Sequence, residues 1–148
     1  MKLLDKEQMK NIENTAFTEY SIPSIVLMEN AAHSFFNIIK EETDSLANKK
    51  IAVFCGKGNN GGDGYAIARY LKNAIAEVSI YSLCDDELIS GDSLTNYNIA
   101  KKMEIPIYKT LPENLDCDII IDSIFGIGFH GEAIGLEKDA IILINNTD

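Results

Sequence analysis

A glycine-rich stretch is the first part of this sequence whose residue types suggest chemistry. Residues 56–64 read G-K-G-N-N-G-G-D-G and follow the apolar run 51–55. Its first three glycines have the G-x-G-x-x-G spacing that lets backbone approach a pyrophosphate at a helix N-terminus. A Walker P-loop is excluded, because no Gly-Lys-Ser/Thr follows at the required distance. The alternative is a purely structural turn in which Asn and Asp adopt left-handed or capping conformations.

A second stretch with chemical potential follows another apolar run. Residues 122–132 read D-S-I-F-G-I-G-F-H-G-E. A carboxylate such as that of Asp122, directly after a buried strand, is costly unless it meets a cation or backbone donors, although short Asp side chains also cap turns. Phe125 and Phe129 either wall a pocket for a ring or belong to the core. His130 is a candidate acid or base, but a lone His in a glycine loop is more often exposed or bonded to backbone.

The oxygen-bearing side chains of the two stretches predict a cation site. Asn59, Asn60 and Asp63 exceed what a plain dinucleotide fingerprint needs, and Asp63 is also a candidate cap for the helix that follows. If Asn60 and Asp122 converge, their oxygens suit a hard cation. With one full negative charge, potassium is as plausible as magnesium, and transition metals are disfavoured.

The elements that position these stretches alternate between strand and helix. Apolar spacing predicts two amphipathic helices, over 5–20 and from Ser24, with Ser24 as the N-cap. Strands are predicted at 51–55, 76–81, 105–108 and 118–122, and helices at 64–73, 92–103 and 136–146. This pattern predicts a Rossmann-like, doubly wound parallel α/β sheet with helices on both faces and strand order 3-2-1-4. Ligands then bind between the carboxyl ends of the first and fourth strands.

Composition restricts the partners. The 148 residues carry 13 Lys+Arg against 23 Asp+Glu, a net charge of −10, and 46 % are hydrophobic, which predicts one soluble domain. The acidic excess argues against nucleic acid and anionic membranes as partners. Arg69 is the single arginine, so phosphates must be held by backbone N–H groups or lysine.

The absence of a secretory signal or membrane span in this sequence, together with its cysteine pattern, predicts a cytoplasmic protein. The charged N-terminal segment excludes a secretory signal, and no apolar run is long enough to span a membrane. The cysteines are odd in number and lack C-x-x-C spacing, which predicts free, buried thiols: Cys55, Cys84 and Cys117.

Three motifs, in order, give the sequence a family resemblance. They are, along the chain, I-P-S-I-V-L-M-E-N-A at 22–31, G-N-N-G-G-D-G at 58–64 and D-S-I-F-G-I-G-F at 122–129. Together they resemble the NAD(P)HX epimerases, the YjeF N-terminal domain family. The resemblance implies a single domain that interconverts the R and S epimers of hydrated NADH and NADPH in nicotinamide nucleotide repair.

The resemblance also implies the site residues and partners. Asn60 and Asp122 would hold one potassium ion per subunit. A homodimer is implied, working alongside a separate NAD(P)HX dehydratase. The residues that would line the substrate are Asn59, Asn60, Gly61, Gly62, Asp63, Gly126, Ile127, Gly128, Phe129, His130, Gly131 and Glu132.

The sequence departs from the family pattern at its end. Family members continue into an Asp-Ile-Pro-Ser-Gly motif that carries the expected acid/base and a potassium ligand, whereas this sequence stops at Asp148. The expectation is therefore a domain without its C-terminal part, with an open sheet edge beside residues 119–121 and marginal stability or self-association. It is expected to keep weak dinucleotide affinity without measurable epimer exchange. The catalytic residue stays unassigned, with His130 and Asp63 as the first candidates within the chain.

Two other functions remain open on the sequence. A non-catalytic, dimerising scaffold of the same fold would not need the oxygen donors of 59–63. An ordinary NAD dehydrogenase would use an acidic residue after the second strand, Asp85 or Asp86, for the ribose hydroxyls, but leaves those same donors unexplained.

Overall fold

The computed structural model describes residues 4–147 as alternating helices and strands. A short 3₁₀ turn, Asp86–Leu88, follows the second strand. The helices and strands, in chain order, are α1 Lys6–Thr18, α2 Ser24–Glu42, β1 Lys50–Cys55, α3 Asn59–Asn73, β2 Glu77–Ser82, α4 Gly91–Lys102, β3 Ile107–Tyr108, β4 Ile119–Ser123 and α5 Gly135–Asn145.

The four strands form one parallel sheet in the order β3-β2-β1-β4, which confirms the predicted topology. β1 is central, with Val53 paired to Ile80 of β2 on one side and to Ile121 of β4 on the other. Five of its six residues are buried, as expected for a strand covered on both faces. Because β1 and β4 are neighbours, the chain segments leaving their carboxyl ends start side by side.

Helices cover both faces of the sheet. One core contains Val53 and Ile80 and packs against α2, α3 and α4, while the other contains Ala52 and Phe54 and packs against α5. The three-layer α/β/α arrangement is therefore confirmed. In the described part of the chain β4 lies at a sheet edge, with Ile119 and Ile120 half-buried.

The N-terminal helices differ in how they pack. Asp5 caps α1 through a reciprocal capping box with Gln8, yet α1 buries none of its residues. α2 packs against α3 and buries Met28 and Ala32. No helix within residues 4–147 is long and apolar enough to cross a membrane.

One predicted N-cap and one predicted helix start are wrong. Ser24 is the first residue of α2 and makes no capping bond, because Pro23 occupies the N-cap position in extended backbone. α3 begins at Asn59, five residues before its predicted start, so Asp63 lies inside the helix and does not cap it. Glycine has a low helix propensity, and for that reason the pattern did not indicate helix over 59–63.

Candidate functional site

The glycine-rich stretch folds into the first turn of α3. Gly58 is the N-cap, and its carbonyl accepts the first intrahelical hydrogen bond from the Gly62 N–H at 3.0 Å. The N–H groups of Asn59, Asn60 and Gly61 consequently have no intrahelical partner, as at every helix N-terminus. Such groups, at the positive end of the helix dipole, are the usual ligands of phosphate.

Close packing explains most glycines of this stretch. Among residues 4–147 the glycines with positive φ lie elsewhere, so left-handed backbone is not the reason. A Cβ on Gly56 would lie 2.1 Å from the Ile124 carbonyl oxygen, and one on Gly61 would lie 1.9 Å from the Gly56 carbonyl oxygen. A Cβ on Gly64 would lie 2.7 Å from the Ser123 Cβ. The turn is therefore locked against the chain that leaves β4.

The two predicted stretches meet. Asn60 donates from Nδ2 to the Phe125 carbonyl at 3.1 Å, and its Cβ lies 3.3 Å from the position of a Cβ on Gly126. The Gly56 N–H bonds to the Ser123 carbonyl at 3.1 Å, which extends the pairing of β1 and β4 to their ends. The carboxyl ends of these two strands thus bring the α3 N-terminus beside residues 124–126.

Asp122 lies at this same turn. It is paired across from Phe54, its side chain is exposed, and Oδ1 accepts a hydrogen bond from the Ile124 N–H at 3.0 Å. Asp122 therefore caps this turn, which is one of the roles that the sequence left open for it. Asn60 and Asp122 thus bond to consecutive residues of one turn, Phe125 and Ile124. Within residues 4–147 no three His, Cys, Asp or Glu side chains cluster as metal ligands, so a cation here depends on amide and backbone oxygens as well.

The rest of the second stretch is exposed. Phe129 donates its N–H to the Gly126 carbonyl at 3.0 Å, and its ring stacks on Phe125 with centroids 3.8 Å apart. Phe125 is half-buried and Phe129 is 39 % exposed, so neither belongs fully to the core. Ile127 is anchored by Lys6 of α1, whose Nζ donates to its carbonyl at 2.7 Å.

The remaining predicted substrate residues are also exposed. Gly131 has φ +109°, a conformation that favours glycine, and Gly128 has no atom within 4 Å of a built Cβ. His130 and Glu132 are exposed. The contacts between the two stretches thus involve Phe125 and Gly126, and residues 128–132 remain exposed.

Asp63 is the charged side chain that the packed turn partly buries. Burial raises its pKa to about 6, and the nearby negative charge of Glu13 on α1 adds to the effect. A carboxyl group with that pKa exchanges a proton near neutral pH. From the sequence, Asp63 was a candidate cap, substrate-lining residue and acid or base, and its raised pKa bears on the last of these roles.

Residues behind the turn were missed by the sequence reading. Ser93 and Asn96 of α4 are buried, and Ser93 donates to the Gly58 carbonyl at 2.9 Å. Arg69 of α3 pairs with Glu29 of α2 at 2.9 Å and also donates to Asn96. The sequence shows polar residues at these positions of α4, but periodicity alone does not identify their partners on other helices.

The three cysteines are free, as predicted. Cys55 is fully buried, whereas Cys84 and Cys117 are half-buried. Burial raises the pKa of all three thiols, which argues against a reactive thiolate.

Known proteins identify the family. Residues 24–148, which include both stretches, match the family described as YjeF-related protein N-terminus. The chain belongs to this family. The YjeF-related fold is also that of the crystal structure of yeast ynu0, which superposes with a TM-score of 0.80 at 20 % identity, covering 99 % of this chain and 68 % of the yeast chain.

Curated members of the family are closer in sequence. The "Bifunctional NAD(P)H-hydrate repair enzyme Nnr" of Moorella thermoacetica is 42 % identical over 155 aligned residues, covering 98 % of this chain and 29 % of that protein. The "NAD(P)H-hydrate epimerase" of Limosilactobacillus reuteri is 37 % identical over 147 residues, covering 99 % of this chain and 69 % of the epimerase. This YjeF-related chain therefore spans less than a third of the bifunctional protein and about two thirds of the epimerase.

Proposed function

We propose that this chain is an NAD(P)H-hydrate epimerase that binds hydrated NADH or NADPH at the carboxyl ends of β1 and β4. The observation that carries the proposal is the contact of the α3 N-terminus with the turn after β4, through Asn60 and Phe125. Relatives that carry the epimerase name align over nearly the whole chain. The substrate-lining residues remain those inferred from the resemblance, from Asn59 to Asp63 and from Gly126 to Glu132.

The charge distribution supports backbone recognition of the pyrophosphate. The single arginine, Arg69, is paired with Glu29 and bonded to Asn96, so its guanidinium is already engaged. The N–H groups at the start of α3 supply donors that need no charged side chain. The exposed aromatic ring of Phe129 stacks on Phe125, whose carbonyl accepts a hydrogen bond from Asn60. It offers an apolar surface for the hydrated nicotinamide ring or the adenine.

A potassium ion bound by Asn60 and Asp122 is part of the proposal. The donor set fits such an ion, because it consists of oxygens and contains one carboxylate within hydrogen-bond reach of the same turn. When bound, the ion would supply positive charge next to the anionic substrate. Asp122 and Asn60 would orient it, while the Ile124 N–H holds the carboxylate in place.

The acid/base step is open to two residues of this chain. Epimerisation needs a group that takes and returns a proton near neutral pH, which matches the pKa of about 6 of Asp63. The exposed His130 is the other candidate. Both lie in the stretches proposed to line the substrate.

The dehydrogenase alternative loses one of its two candidate residues, while Asp85 is exposed. Asp86 is engaged by Lys109 at 2.5 Å and by the Tyr97 hydroxyl at 2.7 Å, so it is not free to hold ribose hydroxyls. The scaffold alternative retains one supporting observation, the exposed apolar side chains of α1, Met9 and Ile12. We include a homodimer and cooperation with an NAD(P)HX dehydratase in the proposal, on the strength of the resemblance.

The decisive experiment follows exchange between the two epimers of hydrated NADH, with and without the purified chain, in potassium and in sodium buffer. Acceleration above the spontaneous rate, larger in potassium, supports the epimerase. Asp122→Ala should remove the potassium dependence, because it deletes the only carboxylate of the proposed ion site. Binding of the hydrated dinucleotide without acceleration would favour a non-catalytic nucleotide-binding module. No binding would refute the epimerase and leave the dimerising scaffold.

A further inference from the structure

Helix α4 lies behind the first turn of α3 and contacts it through Ser93. Ser93 of α4 is 1 % exposed, and its hydroxyl donates to the Gly58 carbonyl at 2.9 Å. The same carbonyl accepts the Gly62 N–H that begins α3. Ser93 thus bonds to the one carbonyl whose direction determines where the first turn of the helix starts.

Gly62 has no side chain because Ser93 occupies that space. A Cβ on Gly62 would lie 2.5 Å from the Ser93 Oγ and 2.9 Å from the Met28 Sδ. Oγ of Ser93 therefore packs against the Gly62 backbone while it bonds to Gly58, so it contacts both ends of the first helical hydrogen bond. Neither contact could form with a larger residue at position 62.

α4 is itself held in place by polar contacts one turn further on. Asn96 is fully buried, accepts a hydrogen bond from Arg69 of α3 and donates to the Met28 Sδ of α2 at 3.2 Å. Arg69 also pairs with Glu29 of α2. These bonds join the three helices on this face of the sheet, so they fix the position of α4 and of Ser93 on it.

We propose that Ser93 is a positioning residue: through the Gly58 carbonyl it orients the first turn of α3, and with it the N–H groups that receive the substrate phosphates. Ser93 does not touch the substrate in this scheme. The part that concerns binding rests on the proposed function, whereas the part that concerns the turn does not. Without the Ser93 hydroxyl, the Gly58 carbonyl keeps one hydrogen-bond partner, the Gly62 N–H, and its direction is less restricted.

The test compares Ser93→Ala with Thr95→Ala. Thr95, on the same helix, donates its hydroxyl to the Gly91 carbonyl at 3.3 Å at an exposed site, so its replacement removes a similar bond elsewhere. In the ligand-free proteins, hydrogen exchange of the Gly62 amide should be about tenfold faster in Ser93→Ala, the size expected for one hydrogen bond, and unchanged in Thr95→Ala. Amide chemical shifts of residues 59–62 should move only in Ser93→Ala.

Binding supplies the second readout. Affinity for hydrated NADH should fall about five- to tenfold in Ser93→Ala, with the thermal midpoint of both variants reported beside it. Unchanged Gly62 exchange and unchanged loop shifts in Ser93→Ala would overturn the inference, as would an equal response in Thr95→Ala. Wild-type protein that does not bind hydrated NADH would instead refute the proposed function, while the Gly62 amide would still decide the role of Ser93.

Discussion

The two stretches that form the candidate site are built in opposite ways. Residues 56–64 are packed into the first turn of a helix, with buried glycines and contacts to α2, α4 and the chain after β4. Residues 126–132 are exposed and are tied down by one turn bond within the segment and by Lys6. A phosphate-binding turn must hold fixed N–H directions, whereas a segment that admits a bulky ligand can stay loosely held.

Glycine serves different purposes in the two stretches. In the first, Gly61 is needed because another backbone atom occupies the place of a side chain. In the second, Gly128 has open space around it, and Gly131 has a positive φ. The same residue type therefore predicts tight packing in one stretch and freedom of the backbone in the other, a difference that substitution can measure.

The largest expected effect is on the packed turn. Gly61→Ala places a Cβ 1.9 Å from the Gly56 carbonyl oxygen, and backbone on both sides cannot move apart without disrupting the turn. We expect the free energy of unfolding to fall by about 2–3 kcal/mol, as for an overpacked core. Gly128→Ala, the control in the exposed stretch, should change it by less than about 0.5 kcal/mol. Urea unfolding midpoints measure both, and similar losses in the two variants would contradict the contrast.

The support behind the packed turn should have the next largest effect. Arg69→Met leaves the half-buried Glu29 without its cation, and we expect a loss of about 1–2 kcal/mol at neutral pH. Burial alone would raise the pKa of Glu29, but hydrogen bonds from Tyr70 and Arg69 and the guanidinium charge outweigh it, so the pKa is lowered from 4.5. That stabilisation is present above pH 4.5 and is lost as the pH falls through the lowered pKa.

A pH series therefore checks the Arg69 prediction. The difference in urea midpoint between wild type and Arg69→Met should shrink as the pH drops below 4.5, the ordinary pKa of a glutamate such as Glu29. Lys72→Met, an exposed lysine on the same helix, removes one positive charge without touching Glu29 and should show little loss at any pH. A constant Arg69→Met deficit across the series would mean that packing of the side chain, and not its charge, supports α3.

The sequence predicted the sheet better than the site's supports. Alternating apolar runs and right-handed crossovers were sufficient for the order β3-β2-β1-β4, and that order alone places Asn60 near the turn of Asp122. The start of α3 was missed because four glycines among residues 56–62 suppress helix propensity. Ser93 and Asn96 were missed because burial of a polar side chain depends on partners from other helices, which no local pattern contains.

Asp63 gives a smaller, pH-dependent effect within the packed turn. Its pKa of about 6 in the folded state exceeds the ordinary 3.8, so its contribution to stability is complete below pH 3.8 and is lost as the pH rises through about 6. The free energy of unfolding of Asp63→Asn minus that of wild type should therefore be about 1 kcal/mol larger at pH 8 than at pH 4. This value allows for the partial exposure of the side chain. Asp44→Asn, at an exposed position, controls for the loss of one negative charge. Stability differences for Asp63→Asn that do not vary with pH would show that its carboxyl is not desolvated.

The smallest effect should come from the exposed stretch, where it changes local motion and leaves global stability intact. Lys6→Met removes the 2.7 Å bond to the Ile127 carbonyl, and we expect less than about 0.5 kcal/mol in unfolding because the bond is exposed. α1 buries no residue, and this bond joins the helix to residues 126–132. Hydrogen exchange of the Phe129 amide, which bonds to Gly126, should rise several-fold, since local opening no longer requires breaking the Lys6 contact. Lys10→Met, one turn further along α1, should leave that amide unchanged, whereas equal exchange in wild type and Lys6→Met would show that the turn bond alone holds the segment.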